Sequence, residues 1–210
     1  MIRASLAALA TLVSCSIVSG QQPATREGYN VVNRHFSINA AEQSIHLDEA
    51  DNPGLAWIKG VEFTEGTIEF DEKGRDVQQR SFVGFAFHGT DDSSYEAIYF
   101  RPFNFRSTDP VRTAHAVQYI ALPQYDWSRL RTQFPGKYEN AVSPVPDPND
   151  WFHVKIVVMG EKIIVFVNGN TIPSLTVTPL VHRSGKQLGF WVGNGAPGDW
   201  RNLRIRAGRQ

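Results

Sequence analysis

The amino-acid sequence predicts an all-β fold: a two-sheet antiparallel β-sandwich interrupted by one long, partly helical loop insertion. Three observations carry that prediction. Apolar runs of four to eight residues recur between Phe36 and Arg206, separated by glycine, proline, asparagine and aspartate turns. Several runs alternate apolar and polar residues, the period of a half-buried strand. The run 162–168 is apolar on both faces, with Ile163, Val165 and Val167 opposite Ile164 and Phe166. Two stacked sheets, or one curved sheet with a covered concave face, would bury both sets; a one-sided meander would not.

The chain starts with the layout of an export signal. Arg3 precedes an apolar run over residues 4–13, Ile17 and Val18 extend it, and small Ser19 and Gly20 follow. The run is shorter than the roughly 20 residues of a membrane-spanning helix, so no transmembrane segment is expected. Two exits are open: conventional cleavage before Gln21, or a lipoprotein box Leu12-Val13-Ser14-Cys15 with lipid on Cys15. Either places the protein in the periplasm or outside the cell. The expected organisation is a signal peptide over 1–20, a leader over 21–30 and one domain over 31–210, with the insertion at about 101–150.

Composition removes several classes of function. Cys15 is the sole cysteine, which excludes a disulfide framework and a cysteine metal site. Loss of the first twenty residues leaves 20 basic against 21 acidic side chains, giving no bulk attraction to nucleic acid. There is no nucleophile elbow, P-loop or His-x-x-x-His zinc pattern.

Taken in order, strands are expected over residues 36–39, 44–47, 55–58, 66–71, 81–87, 95–100 and 115–121. Others follow over 152–158, 162–168, 172–177, 187–192 and 202–206. Asn168-Gly169 is a hairpin signal, since a type I′ turn needs positive φ at both central positions. Within the insertion, Asp126 is placed to cap a short helix over 127–131 that Pro135-Gly136 would end. An irregular segment this long, carrying Phe103, Phe105, Tyr119, Tyr125, Trp127, Phe134 and Tyr138, reads as functional rather than disordered.

The closing runs 151–158, 163–169, 188–193 and 202–205 resemble the last strands of laminin-G-like and concanavalin A-like jelly rolls. The runs 66–71 and 81–88 are similar to the opening strands of those domains. Among them the chain most resembles the secreted bacterial 3-keto-disaccharide hydrolase domains, themselves similar to family-16 glycoside hydrolases. The resemblance implies a concanavalin A-like sandwich and a saccharide or polysaccharide ligand. The chain departs from the family-16 pattern: it has Glu69-Phe70-Asp71-Glu72 and no Glu-x-Asp-x-x-Glu triplet. Retaining hydrolysis needs two carboxyl groups about 5 Å apart across the scissile bond, so that double displacement is not expected.

Candidate site residues cluster around 95–106. On that strand Tyr95, Ala97, Tyr99 and Arg101 share one face, and Glu96, Ile98 and Phe100 the other. Tyr99 would stack on a pyranose, while Arg101 and Arg106, with Asn104 beside them, would donate to hydroxyls or a carboxylate. The alternative is that Glu96 pairs with a neighbouring arginine and the tyrosines pack the sheet. Glu96 and His115 are the candidate acid and base, with Arg101 or Arg106 stabilising negative charge. A buried, hydrogen-bonded structural histidine is the competing role for His115.

Gln118 and Tyr119 follow on the same expected strand, His115 and Tyr119 on one face and Gln118 on the other. Between Arg101 and Lys137 six basic residues face two acids, a balance suited to an anionic glycan or, alternatively, to a solvated loop. Trp127, and Trp191 with Trp200 around the glycine-rich loop 193–199, offer sugar platforms or core packing. His88, Asp91 and Asp92 form an acidic turn that would hold calcium if any cofactor is present; otherwise none is expected. Two functional classes follow: a glycan-active hydrolase or lyase, and a non-catalytic carbohydrate-binding module.

Overall fold

A computed structural model describes residues 19–21, 25–182 and 184–208; the apolar stretch of the expected export signal and Cys15 lie outside the described residues. In chain order the strands are β1 (Ser19–Gln21), β2 (Tyr29–Val32), β3 (Phe36–Asn39), β4 (Ser44–Leu47) and β5 (Gly54–Ile58). Then come β6 (Gly66–Lys73), β7 (Val83–Asp91), β8 (Ser94–Phe100), β9 (Val117–Leu122) and β10 (Glu139–Asn140), with helices α1 (Pro110–Thr113) and α2 (Trp127–Gln133) flanking β9. The last strands are β11 (Phe152–Met159), β12 (Lys162–Val167), β13 (Leu175–Val177), β14 (Gln187–Val192) and β15 (Gly198–Ala207).

They form two antiparallel sheets stacked as a sandwich. One runs β13-β12-β11-β6-β15-β4-β3, with β1 also paired to β15; the other runs β10-β9-β8-β7-β14-β5-β2. Aromatic rings interlock between them: Phe70 and Phe85 lie 5.1 Å apart, Phe190 and Trp200 5.1 Å, and Phe100 and Phe152 5.3 Å. Each ring comes from an alternating position, so strand period 2 alone delivers it to the interior. No helix among the described residues is long and apolar enough to cross a membrane.

Several expected boundaries shift. The strand expected over 172–177 starts only at Leu175, because Pro173 has no N–H for the ladder and Ile172 stands exposed. β2 starts inside the segment expected to be leader, and its Tyr29 is fully buried. The short helix in the insertion is present as α2, two residues longer at its C-terminal end than expected, and Asp126 Oδ1 accepts from the N–H of Arg129 as its cap.

Two carboxylates are buried in the interior. Glu72 of β6 is fully enclosed; the indole N–H of Trp200 donates to its Oε2 at 3.2 Å, and Oε1 has no hydrogen-bond partner among the described residues. Burial pushes the Glu72 carboxyl up to about 8. Glu96 of β8 lies 2.6 Å from His88 Nδ1 through Oε2, and Tyr119 OH donates to its Oε1. His88 Nε2 in turn lies 2.6 Å from the carbonyl of Thr64. Both ring nitrogens of His88 thus face acceptors.

Gly84 sets the outer surface of the second sheet. It sits on β7 between Tyr99 of β8 and Trp191 of β14, and without a side chain there the two rings approach to 4.9 Å. An added Cβ would meet the carbonyl of Ile98 at 2.2 Å and Cα of Tyr99 at 2.5 Å. Gly84→Ala is expected to cost about 1–3 kcal/mol by overpacking. Urea denaturation should show a lower midpoint at unchanged slope; an unchanged midpoint would show that the sheet yields at no cost.

Candidate functional site

The alternation on β8 separates two environments. Glu96, Ile98 and Phe100 point between the sheets, while Tyr95, Tyr99 and Arg101 point away from the interior, where the insertion folds over them and keeps them buried. The result is a groove on the outer face of the second sheet, made of two adjoining chambers. One, of about 360 Å3, includes Arg101, Asn104, Arg112, His115 and Arg131 in its walls. The other, of about 550 Å3, is walled mainly by aromatic and aliphatic side chains. Gln79, Phe82 and Trp127 line both.

Arg101 organises the polar chamber. Its guanidinium donates to the His115 carbonyl at 2.8 Å, to Tyr99 OH at 2.6 Å and to Gln118 Oε1 at 3.4 Å, and lies 4.9 Å from the Tyr99 ring centre. Gln118 is oriented for this because its amide donates to the carbonyls of Tyr119 and Tyr138. Arg101 is only 6% exposed, yet none of these bonds goes to a carboxylate. Burial lowers its basicity and raises the Tyr99 phenol to about 12.

Beside it Arg131 grips Glu139 in a bidentate pair, at 3.0 Å and 2.7 Å. His115 Nδ1 lies 2.8 Å from Glu139 Oε2 but at an angle that makes no hydrogen bond. The ring, 21% exposed, lines the chamber. Desolvation, helped by the Arg131 and Arg101 charges and opposed by Glu139, holds the imidazole below its ordinary value. It is therefore neutral at neutral pH. Arg112 completes the wall, donating to Asn104 Oδ1 at 3.3 Å and to Gln78. Three guanidinium groups here face one carboxylate.

The groove brings together Tyr99, Arg101, Asn104, His115, Trp127 and Trp191, with Gln118 behind Arg101. It does not bring in Glu96, Arg106 or Tyr119. Glu96 and Tyr119 bond each other on the inner side of the sheet, so Glu96 and His115 stand on opposite faces and cannot act across one bond. The expectation that His115 shares a face with Tyr119 is corrected: β9 begins only at Val117, and His115 lies in the turn after α1, where strand alternation does not hold. Arg106 is a surface residue paired with Asp147 at 3.1 Å. Trp200 is core, packed 5.1 Å from Phe190.

The side chains of the acidic turn have partners within the protein. Asp91 accepts from Ser93, Asp92 from the Trp57 indole, and His88 is held by Glu96 and Thr64. No group of three His, Cys, Asp or Glu among the described residues could hold a metal ion.

Sequence reasoning missed Glu139 and Phe82 as site residues. Glu139 lies two positions beyond the basic stretch, on a two-residue strand with no periodicity to read. Phe82 was legible only as part of an apolar run. Arg112 and Arg131 appeared only as members of the basic count.

Comparisons with known proteins agree with this architecture. Residues 47–206 match a family described as 3-keto-alpha-glucoside-1,2-lyase-like domain. No curated protein matches the chain in sequence. Among solved structures, carbohydrate binding module CBM66 from Bacillus subtilis is similar at a TM-score of 0.62 and 14% identity, over 86% of this chain and 96% of that one. The exoplasmic/lumenal domain of VIP36, in a form bound to Ca2+ and Man3GlcNAc, reaches 0.59 at 11% identity, over 91% and 89%. A Bacillus licheniformis beta-glucanase reaches 0.55 at 14% identity, over 91% and 98%. The fold is that of the concanavalin A-like superfamily, and the domain is carbohydrate-related.

Proposed function

The chain belongs to the 3-keto-alpha-glucoside-1,2-lyase-like domain family, and from that premise we propose that the groove cleaves a 3-keto glucoside by β-elimination in an exported protein. A ketone at C3 acidifies the proton on C2. A base that takes this proton sends its electron pair into a C1=C2 double bond, and the C1–O bond breaks toward the aglycone oxygen. Negative charge passes through the C3 oxygen on the way. The aglycone oxygen leaves as an alcohol after taking up a proton, which the newly formed imidazolium can return.

His115 is the base in this scheme, being neutral, part-exposed to the groove and poised by Glu139. Arg101, with Arg112 and Arg131, stabilises the enolate oxygen. The observation that carries the reading is Arg101, a guanidinium buried with neutral partners only. A buried cation with no carboxylate bonded to it, in a cluster where one carboxylate serves three guanidinium groups, is costly unless an anion arrives, and an enolate supplies one at the moment of reaction. The cationic excess of the insertion thereby answers charge that develops on the substrate. A permanently anionic glycan is not required.

The test is to incubate the protein with a 3-keto glucoside and follow the ultraviolet absorbance of the conjugated enone, with product identity by NMR. Enone formation in step with release of the aglycone is the expected result. Binding without turnover would reduce the groove to that of a carbohydrate-binding module, and absence of binding would remove both readings.

A further inference from the structure

The two chambers differ in chemistry, and the difference bears on what hangs from C1. Phe82, Tyr99, Ile120, Leu122, Trp127 and Trp191 wall the larger one. The floor is rigid: Tyr99 and Trp191 lie against each other over Gly84, and Phe82 meets Tyr99 edge-on at 6.3 Å. Trp127, 47% exposed, also lines this chamber, with the Arg131 guanidinium 5.1 Å from its ring. An aromatic slot of this kind suits a sugar only if polar atoms surround the ring plane to take its hydroxyls.

Such atoms are few beside the rings: Gln79, Asp126 and Asn194 are the polar side chains of this chamber besides the Tyr99 hydroxyl and the Trp127 and Trp191 indole N–H groups. The Tyr99 hydroxyl is turned to Arg101, and the Trp191 indole N–H donates to Tyr95 OH. At the rim, Asp126 Oδ1 accepts from the Arg129 N–H and Asn194 Oδ1 from the Asn52 N–H. A second pyranose would exchange several hydroxyl–water bonds for contacts with Ile120, Leu122 and ring faces, leaving hydroxyls unpaired. A flat apolar ring loses nothing by that exchange and gains burial on both faces.

The geometry points to an aryl aglycone in this chamber: the groove takes aryl 3-keto glucosides in preference to 3-keto disaccharides, with Phe82 and Trp127 as the residues that set the preference. This rests on the reading of the polar chamber as the seat of the keto sugar. Phe82 and Trp127 line both chambers, so the aryl ring and the sugar ring meet where the C1 substituent crosses between them.

Carbon-linked 3-keto glucosides test this without leaving-group reactivity, since a C–C bond at C1 cannot be eliminated. Dissociation constants are measured by calorimetry for phenyl, methyl and glucosylmethyl versions on the full chain. The phenyl compound is expected to bind about tenfold more tightly than either other. Trp127→Ala and Phe82→Leu should each narrow the phenyl-to-methyl ratio toward one. Equal affinity for phenyl and glucosylmethyl, or a ratio untouched by both substitutions, overturns the aryl assignment while leaving the groove reading intact. Absence of binding by all three overturns the groove reading itself.

Discussion

His115→Ala should lower turnover of a 3-keto glucoside by about 10²–10⁴-fold, the usual contribution of a positioned general base. Affinity for a carbon-linked analogue should change little, because substrate hydroxyls and rings meet other side chains. The acid limb of the pH profile provides an independent signature. Catalysis needs the neutral imidazole, so the rate falls as pH drops through the His115 value. That value lies below the ordinary histidine range, since desolvation and the Arg131 and Arg101 charges outweigh Glu139. Activity should therefore persist at a pH where an unperturbed histidine would already be protonated. Glu139→Gln removes the one opposing charge and should move the limb to still lower pH. A His115→Ala enzyme within threefold of wild type, or a limb unmoved by Glu139→Gln, would place the base elsewhere.

The second large effect concerns stability. Glu72 is fully enclosed, one indole bond its only hydrogen bond among the described residues, and its carboxyl stands at about 8 against an ordinary 4.5. Because the folded value is the higher, the folded chain keeps a proton that the unfolded chain has released between those two pH values. The stability associated with the neutral carboxyl is complete below about 4.5 and is lost as pH rises through about 8. The loss is on the order of several kcal/mol, each unit of separation being about 1.4 kcal/mol. Glu72→Gln keeps an acceptor for the Trp200 indole and has no proton to lose. Denaturation series at successive pH values should show wild-type stability declining across this window relative to the variant. Parallel curves for the two proteins would mean that Glu72 is ionised without penalty.

Strand alternation made much of the site legible before any coordinates. The 95–101 run separates Tyr99 and Arg101 from Glu96 by period 2, and the structure keeps that division. The same rule failed at His115 because the residue precedes β9 and sits in a turn, where side-chain direction follows no period. Glu139 failed for a related reason. Its place beside Arg131 and His115 depends on β10 pairing with β9, a contact between segments twenty residues apart with no pattern in either.

By itself the sequence determined the two-sheet sandwich and the inner and outer faces of its strands, and it marked out the insertion. These follow from local periodicity and turn chemistry, which each short segment carries within itself. Only the tertiary structure decided that Glu96 belongs to a buried pair with His88, and that Arg101, His115 and Arg131 line one chamber with Gln118 and Glu139 as their buried partners. The physical reason is that hydrogen-bonded charge clusters are assembled from distant segments, and their geometry exists only once the insertion has folded over the sheet.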